Sequence, residues 1–324
     1  MSGQPIRVAV IGAGGIGGTH LNAWSQVPGA QIVAVVDVDS ARAEQAAGKV
    51  GGAAFTDHRA MLDAITPDAV DICTPPVHHP EAAVDALDSG AHVICEKPLA
   101  ESPVSAHRIV EAAESSGKLL MAAFCHRFHP PVAHLKRLVG DGRLGEVRMF
   151  RNRFAGPFAG IEGVWFSNPD VSGGGCLMDT SVHSVDLFRF LVGEVVQVQA
   201  AAVTVSDKLK PGVEDTAAMV LRSDTQGVGV IEASWALAAG ANVVEVYGTK
   251  GTAFIHYWDG GVSRYLAEGM SEPEPLPEDG DRFQGELGHF AAAIRGECAL
   301  SVTGFDGLRA VEVIYDAYRS AGLR

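Results

Sequence analysis

A chain of 324 residues is long for one ordinary domain of about 100–200 residues and comfortable for two. With 47% apolar and 20% charged residues it can fill a real core, which excludes a disordered chain. A net charge of −14 with no Lys or Arg run excludes the basic face of a nucleic-acid binder, and the absence of any window of about 18 uncharged apolar residues excludes a helical membrane span.

The first third alternates short apolar runs with helical patterns. Residues 6–11 read as a buried strand, followed by a glycine-rich turn and a helix over about 15–26. Strands are predicted over 31–36, 69–73, 92–95 and 119–124, and helices over 40–50, 81–89 and 104–116. Pro75-Pro76 and Pro98 stop two of those strands. Such alternation predicts a parallel sheet with helices on both faces. The pattern changes near Phe124. Longer alternating segments at 145–154, 195–206, 216–222, 228–235, 243–247 and 252–258 read as an antiparallel sheet with one covered face. A helix over 179–191 interrupts them, a Pro- and acid-rich loop covers 272–281, and helices over 284–295 and 305–320 follow.

Cys73, Cys95, Cys125, Cys176 and Cys298 form no C-x-x-C pair, and several sit in apolar runs. Free thiols in a reducing compartment are the economical reading. Met-Ser-Gly-Gln-Pro at the start lacks a basic region followed by an apolar stretch, so no signal peptide is expected and the cytoplasm is the expected location.

Gly12-Ala13-Gly14-Gly15-Ile16-Gly17 is a G-x-G-x-x-G turn with a predicted strand before it and a helix after it. Gly12 would permit the tight turn, Gly14 would let the backbone approach a pyrophosphate, and Gly17 would let the helix pack close on the strand. The helix start, at Gly15 and Ile16, would point free N–H groups at the phosphates. Asp37 ends the next strand twenty residues after Gly17, where an acid bonds a ribose diol. A carboxylate there repels a 2′-phosphate, so NAD is expected over NADP, with nearby Arg42 weakening the argument. A ligand-free glycine turn and a solvated strand end are the plain alternatives. The organisation expected is α/β: a Rossmann dinucleotide-binding domain over residues 1–122, then a substrate-binding and oligomerisation domain over 123–324 with a large, mostly antiparallel open sheet.

Further stretches carry a family pattern. They are Thr74-Pro75-Pro76-Val77-His78-His79, Glu96-Lys97-Pro98-Leu99-Ala100, and Gly173-Gly174-Gly175-Cys176-Leu177-Met178-Asp179-Thr180-Ser181-Val182-His183-Ser184-Val185-Asp186. Glu286-Leu287-Gly288-His289-Phe290 and Asp306-Gly307-Leu308 add to them. With the glycine turn, their order and spacing resemble the Gfo/Idh/MocA oxidoreductases, which include glucose–fructose oxidoreductase and inositol dehydrogenases, over nearly the whole chain. Two departures stand out: Thr180-Ser181 replaces the glycine usual in that turn, and His126 precedes Arg127 where the family often has Asn.

Oxidising an alcohol carbon by hydride transfer also requires loss of the hydroxyl proton. His suits that task because its unperturbed pKa lies near neutrality. Asp179 and His183, four apart on a predicted helix, share a face, and the carboxylate can orient the imidazole. Lys97 offers a cation to a developing alkoxide. Taken singly, Asp179 could be a helix cap, His183 a buried structural histidine and Lys97 a solvated strand end. The resemblance implies that Lys97, Asp179 and His183 are catalytic, with Lys97 beside the nicotinamide. It adds Thr74, Pro75, His79, Glu96 and Lys97 to the cofactor contacts. It further implies His126, Arg127 and Trp165 as substrate contacts, and homodimers or homotetramers formed through the second-domain sheet. On that sheet either the Val198/Ala200/Ala202 row or the Val203/Val205 row carries an apolar face toward the partner. His126 and His129 have a metal-like spacing, but no carboxylate or Cys cluster completes a site, so no metal is expected.

By resemblance the substrate is a polyhydroxylated ring: a sugar, an inositol or a keto-sugar derivative, with a sugar acid or nucleotide sugar open through Arg127. Two rivals belong to other classes. One is a glycosidase that retains NAD and oxidises a ring hydroxyl transiently. The other is a dinucleotide-sensing protein without turnover.

Overall fold

The computed structural model describes residues 4–240, 242–257 and 261–324. The opening Met-Ser-Gly and Trp258, placed at the end of one predicted strand, lie outside the described residues. In chain order the first elements are β1 (Ile6–Ile11), α1 (Gly15–Trp24), β2 (Ala30–Val36), α2 (Ser40–Val50), β3 (Ala53–Phe55), α3 (His58–Ile65), β4 (Ala69–Ile72), α4 (His79–Asp88), β5 (His92–Glu96), α5 (Pro103–Ser116) and β6 (Leu120–Ala123). Then come α6 (Pro130–Gly140), β7 (Val147–Ala155), α7 (Pro169–Ser172), α8 (Val182–Leu191), β8 (Val195–Val203), β9 (Thr216–Ser223), β10 (Val228–Ser234), β11 (Val243–Gly248), β12 (Gly251–His256), β13 (Arg264–Ala267) and β14 (Glu274–Pro275). Helices α9 (Arg282–Ile294) and α10 (Gly304–Ser320) follow. None of the described helices is long and apolar enough to cross a membrane.

The chain divides into two compact units, Met1–Cys125 with Arg282–Leu308, and His126–Asp281 with Arg309–Arg324. The return of residues 282–308 to the first unit was not expected, because an amphipathic helix does not carry its packing partner in its own sequence. Here α9 lies against α1, burying Leu287, Phe290 and Ala291, and just beyond it Arg295 donates to the Pro28 carbonyl at 2.6 Å. Gly304 and Gly307 admit the start of α10: a Cβ at Gly304 would stand 2.2 Å from Leu120, and one at Gly307 would stand 2.9 Å from Ala122 and Leu99.

In the first unit a six-stranded sheet runs β3-β2-β1-β4-β5-β6, all parallel. Its strands are continuous apolar runs because both faces are covered; β4 and β6 are buried throughout. Helix ends are set locally. Asp39 and Asp57 cap α2 and α3 by accepting the backbone N–H of Arg42 and Ala60, while Gly51 and Gly117 close α2 and α5 in the left-handed conformation. The short pair β3 and α3 escaped the periodicity, being only 3 and 8 residues long.

In the second unit eight strands run β14-β13-β12-β11-β7-β10-β9-β8. The described pairings are antiparallel except the central β7–β10 pair. The Pro-rich stretch expected to be loop contributes the edge strand β14. One face is covered. Helix α8 packs so close on β10 that a Cβ at Gly229 would stand 2.7 Å from the Phe188 ring. Strand β9 displays the alternation: Ala217, Met219 and Leu221 are buried, and Ala218, Val220 and Arg222 are exposed. Registered against it, Val198, Ala200 and Ala202 pair with the buried row and so belong to the covered face. The open-face row of β8 is Gln197, Gln199, Ala201 and Val203, which corrects the choice left between the two rows.

Candidate active site

The first unit places the reversal of strand order between β1 and β4, and the glycine turn leaves β1 at that point. Ligands of open parallel sheets bind in such a crevice. The three motif glycines answer to three different constraints. Gly12 has φ +97°, and a Cβ there would meet the Cys73 carbonyl oxygen at 2.7 Å. A Cβ at Gly17 would stand 1.9 Å from the Gly12 oxygen, so only glycine lets α1 sit this close. At Gly14 and Gly15 no atom lies within 4 Å of the Cβ position, which leaves the backbone open to a ligand. Helix α1 has no side-chain cap, so its first N–H groups, from Gly15 and Ile16 onward, are offered outward. These residues fit a dinucleotide pyrophosphate.

Asp37 is tied into the same turn. It is 9% exposed; its Oδ2 accepts the Ala13 N–H and its Oδ1 the Asp39 N–H, each at 2.9 Å. Arg42 stands 3.6 Å from Asp37 and 3.2 Å from Asp39. A groove of about 630 Å³ opens between α1 and α2; of the glycine turn it includes only Ala13, and Arg42 lines it beside Asp37.

Two neighbouring strand ends complete this half. Thr74 and Pro75 follow β4, beside Gly12. Buried His79 faces two carbonyl oxygens, Thr74 O at 2.7 Å and Pro98 O at 3.0 Å, and so bolts the end of β4 to the segment after β5. Burial holds its pKa below the usual imidazole value despite those carbonyls. Lys97 is half-buried immediately after β5, and its peptide bond to Pro98 is cis. Glu96 turns inward: its carboxylate accepts the Lys97 N–H and meets His20. His20, Asp71 and Cys73 converge within 4.8 Å of one another, a set of metal-ligand types. Asp71 Oδ2 is already taken by His20 Nδ1 and Trp24 Nε1, and burial pushes the Cys73 thiol far up, away from the thiolate a metal needs.

In the second unit the predicted helix over 179–191 begins differently. Leu177–Ser181 is a π-helical turn leading into α8, and Asp179 lies inside that turn instead of capping a helix. Both Asp179 and His183 are half-buried. Thr180, at one of the departures from the family pattern, donates to Asp179 Oδ2 at 3.1 Å and accepts the Trp235 indole N–H at 3.1 Å. The triple glycine before the turn has a steric cause that spacing could not reveal. A Cβ at Gly174 would stand 1.9 Å from the Tyr318 hydroxyl, and one at Gly175 would stand 1.9 Å from the Glu214 carbonyl. Glu214 is the residue that sequence reasoning missed: its buried carboxylate accepts the N–H of Gly175 and Leu177 and the Tyr318 hydroxyl, holding the turn that presents Asp179.

His126 and His183 meet edge to face at 4.6 Å, and His126 stacks on Phe154 at 5.0 Å. His129 stacks instead on Tyr257 at 4.6 Å. Trp165 is half-buried and stacked on Phe166. Arg127, expected at the substrate, is 6% exposed, and its guanidinium grips buried Asp186, with Nε at 2.9 and 3.1 Å from the two carboxylate oxygens. It also lies over the Phe190 ring at 4.8 Å. Breaking such a buried pair costs about 3–5 kcal/mol, so the guanidinium expected at the substrate is held by Asp186. The second Asp of the G-G-G motif is its partner.

Residues 6–124 match the model of an oxidoreductase family with an NAD-binding Rossmann fold, and residues 132–254 match the GFO/IDH/MocA C-terminal domain. The D-glucoside 3-dehydrogenase of Escherichia coli is 36% identical over 197 residues, covering 60% of this chain and 56% of that enzyme. The inositol 2-dehydrogenase of Rubrobacter xylanophilus is 30% identical over 97% of this chain and 90% of its own length. Among solved structures, an aldose–aldose oxidoreductase from Caulobacter crescentus complexed with glycerol is similar at TM-score 0.90 and 26% identity, covering 98% of each chain.

Proposed function

As the chain belongs to the GFO/IDH/MocA family of NAD-binding oxidoreductases, we propose that it moves a hydride between NAD and a ring hydroxyl or ketone of a sugar, an inositol or a related polyol. The relatives' names, a glucoside, an inositol and an aldose, support the substrate class. The observation that carries the reading is the glycine turn, where Gly12 and Gly17 are sterically required while Gly14 is left open.

Bound NAD supplies the hydride acceptor. The chain's residues handle position and proton. Gly14, Gly15 and Ile16 offer backbone to the pyrophosphate, Asp37 the ribose acid, and Thr74 and Pro75 the adjoining turn. His183 takes the hydroxyl proton on a ring nitrogen during oxidation and returns it during reduction. Asp179, steadied by Thr180, orients that imidazole. The Lys97 ammonium stabilises negative charge developing on the carbinol oxygen. His126 and Trp165 are assigned to the substrate as ring-shaped walls. Arg127 is assigned a structural role, holding residue 127 to α8 through Asp186.

We also read the open face of the second-unit sheet as the contact with another copy of this chain, and the cytoplasm as its location. Exposed Met149, Val220 and Val228 support the first, since apolar side chains on an open sheet face mark an interface. Four buried free cysteines support the second.

A panel of polyols and aldoses, followed by NADH absorbance, tests the reading. At least one should be oxidised, and Lys97→Met and His183→Ala should each lose about 10²–10⁴-fold in turnover, the range of a positioned acid or base. Normal turnover in either variant overturns its role. Glycoside cleavage without NADH release would replace the reading by transient oxidation.

A further inference from the structure

Lys97 follows the last residue of β5, and a buried polar cluster holds its backbone. Glu96 is 5% exposed. Its Oε2 accepts the Lys97 N–H at 3.0 Å, and its Oε1 lies 3.0 Å from His20 Nε2, a charge contact and not an aligned hydrogen bond. His20, fully buried on α1, donates through Nδ1 to Asp71 Oδ2 at 2.9 Å. That same oxygen accepts the Trp24 indole N–H at 2.7 Å.

Glu286 of α9 belongs to the same cluster, fully buried, with no hydrogen-bond partner for either oxygen among the described residues. Burial pushes its carboxyl well above the usual range, with His20 and Arg282 opposing and Glu96 and Asp71 reinforcing. Burial opposes charge on the His20 imidazole, but Asp71 and Cys73 beside it together hold its pKa well above the ordinary value. The cluster therefore favours charge on His20, facing Asp71 and Glu96, and disfavours it on Glu286. The Cys73 and Cys125 thiols that adjoin it are pushed up by burial as well.

We propose that Glu96 and His20 are positioning residues for Lys97: the buried imidazole holds the Glu96 carboxylate, and the carboxylate holds the Lys97 backbone, without either side chain touching NAD or substrate. This reassigns Glu96, which the family pattern places among cofactor contacts. The carboxylate is engaged on both oxygens inside the unit. Holding the N–H of residue 97 from this side complements His79, which grips the Pro98 carbonyl from the other. An ammonium that must meet a developing charge tolerates little displacement, since an error of about 1 Å costs on the order of 100-fold in rate.

The inference rests on Lys97 acting as in the hydride-transfer reading, and a double-mutant cycle separates the two. Glu96→Gln keeps the shape and a carbonyl oxygen for the Lys97 N–H but removes the charge that faces His20. NAD affinity should stay within about twofold while kcat falls about ten- to a hundredfold, and the substitution should cost nothing further in a Lys97→Met background. His20→Gln, whose amide nitrogen reaches the Nε2 position, should retain more kcat than His20→Asn, which imitates Nδ1 and keeps only the Asp71 contact. Weakened NAD binding in Glu96→Gln would make Glu96 a cofactor contact and overturn the proposal. So would an equal loss in the Lys97→Met background, which marks a general structural role, or an unchanged kcat. Normal turnover in Lys97→Met alone would overturn the hydride-transfer roles first, and this inference with them.

Discussion

Asp37, the proposed ribose acid, is fixed by the fold itself. Two backbone N–H groups hold it at the end of β2, one of them from Ala13 inside the glycine turn. A 2′-phosphate would bring negative charge to a group that cannot swing away. Arg42, the residue that could have welcomed that phosphate, already pairs with Asp37 and Asp39. NAD should therefore bind more tightly than NADP, and Asp37→Ser should narrow the gap by about tenfold, the effect of removing one like charge near a protein surface. Asp37→Ala should also weaken NAD itself, because the Ala13 N–H loses its acceptor. Fluorescence titration with both nucleotides measures this; equal affinities in the unmutated chain would overturn the reading. Arg127 teaches the converse. Its place beside His126 suggested substrate, whereas its partner is an aspartate 59 residues away.

The turns that present the functional groups rest on glycines of two kinds. Gly175 is required by its own chain: an added methyl would collide with the Glu214 backbone at 1.9 Å. Gly14 has an extended backbone, φ −72° and ψ −160°, that any residue adopts, and open space beside it. Gly175→Ala should cost about 1–3 kcal/mol of stability or more, as overpacking does, and lower the melting temperature. Gly14→Ala should leave the melting temperature nearly unchanged and weaken NAD binding instead, because the methyl occupies the ligand's approach. Thermal melts with nucleotide titration of both variants check the contrast. A Gly14→Ala protein that melts early yet binds NAD normally would sink it. The π turn before α8 follows the same logic. Glu214 satisfies backbone donors at its start, so the helix opens without a cap and Asp179 stands inside the turn.

The whole chain is an NAD-dependent oxidoreductase of two compact units, and its second unit leaves one sheet face open. That face mixes apolar residues, Met149 at 55% and Val220 at 45% exposure, with the Arg151–Glu232 ion pair at 2.9 Å. A two-fold axis through such a face would set each residue against the symmetry mate's copy of the same surface. Light scattering coupled to size exclusion should give a multiple of the single-chain 33.9 kDa. Val220→Glu, a charge on the open face, should shift the mass toward the single chain, while a charge on an exposed helix of the first unit should not. A monomeric mass for the unmutated chain would defeat the assembly.

Much of this molecule could be read from short-range patterns. Apolar runs, helix periods and the stereochemistry of Gly12 and Gly17 are local, so the alternating first sheet, its nucleotide turn and the open second sheet are legible in the sequence itself. The E-K-P and G-G-G stretches singled out Lys97, Asp179 and His183 as candidates through the family resemblance. What spacing could not convey was who faces whom. Burial chose Asp186 for Arg127, drew α9 back onto α1, set Val198 under cover and Val203 in the open, and gathered His20, Asp71, Glu96 and Glu286 from α1, β4, β5 and α9 into one cluster. Such partners are set by desolvation: a charge taken from water must find its counter-charge wherever the packed chain brings one, however far away along the sequence.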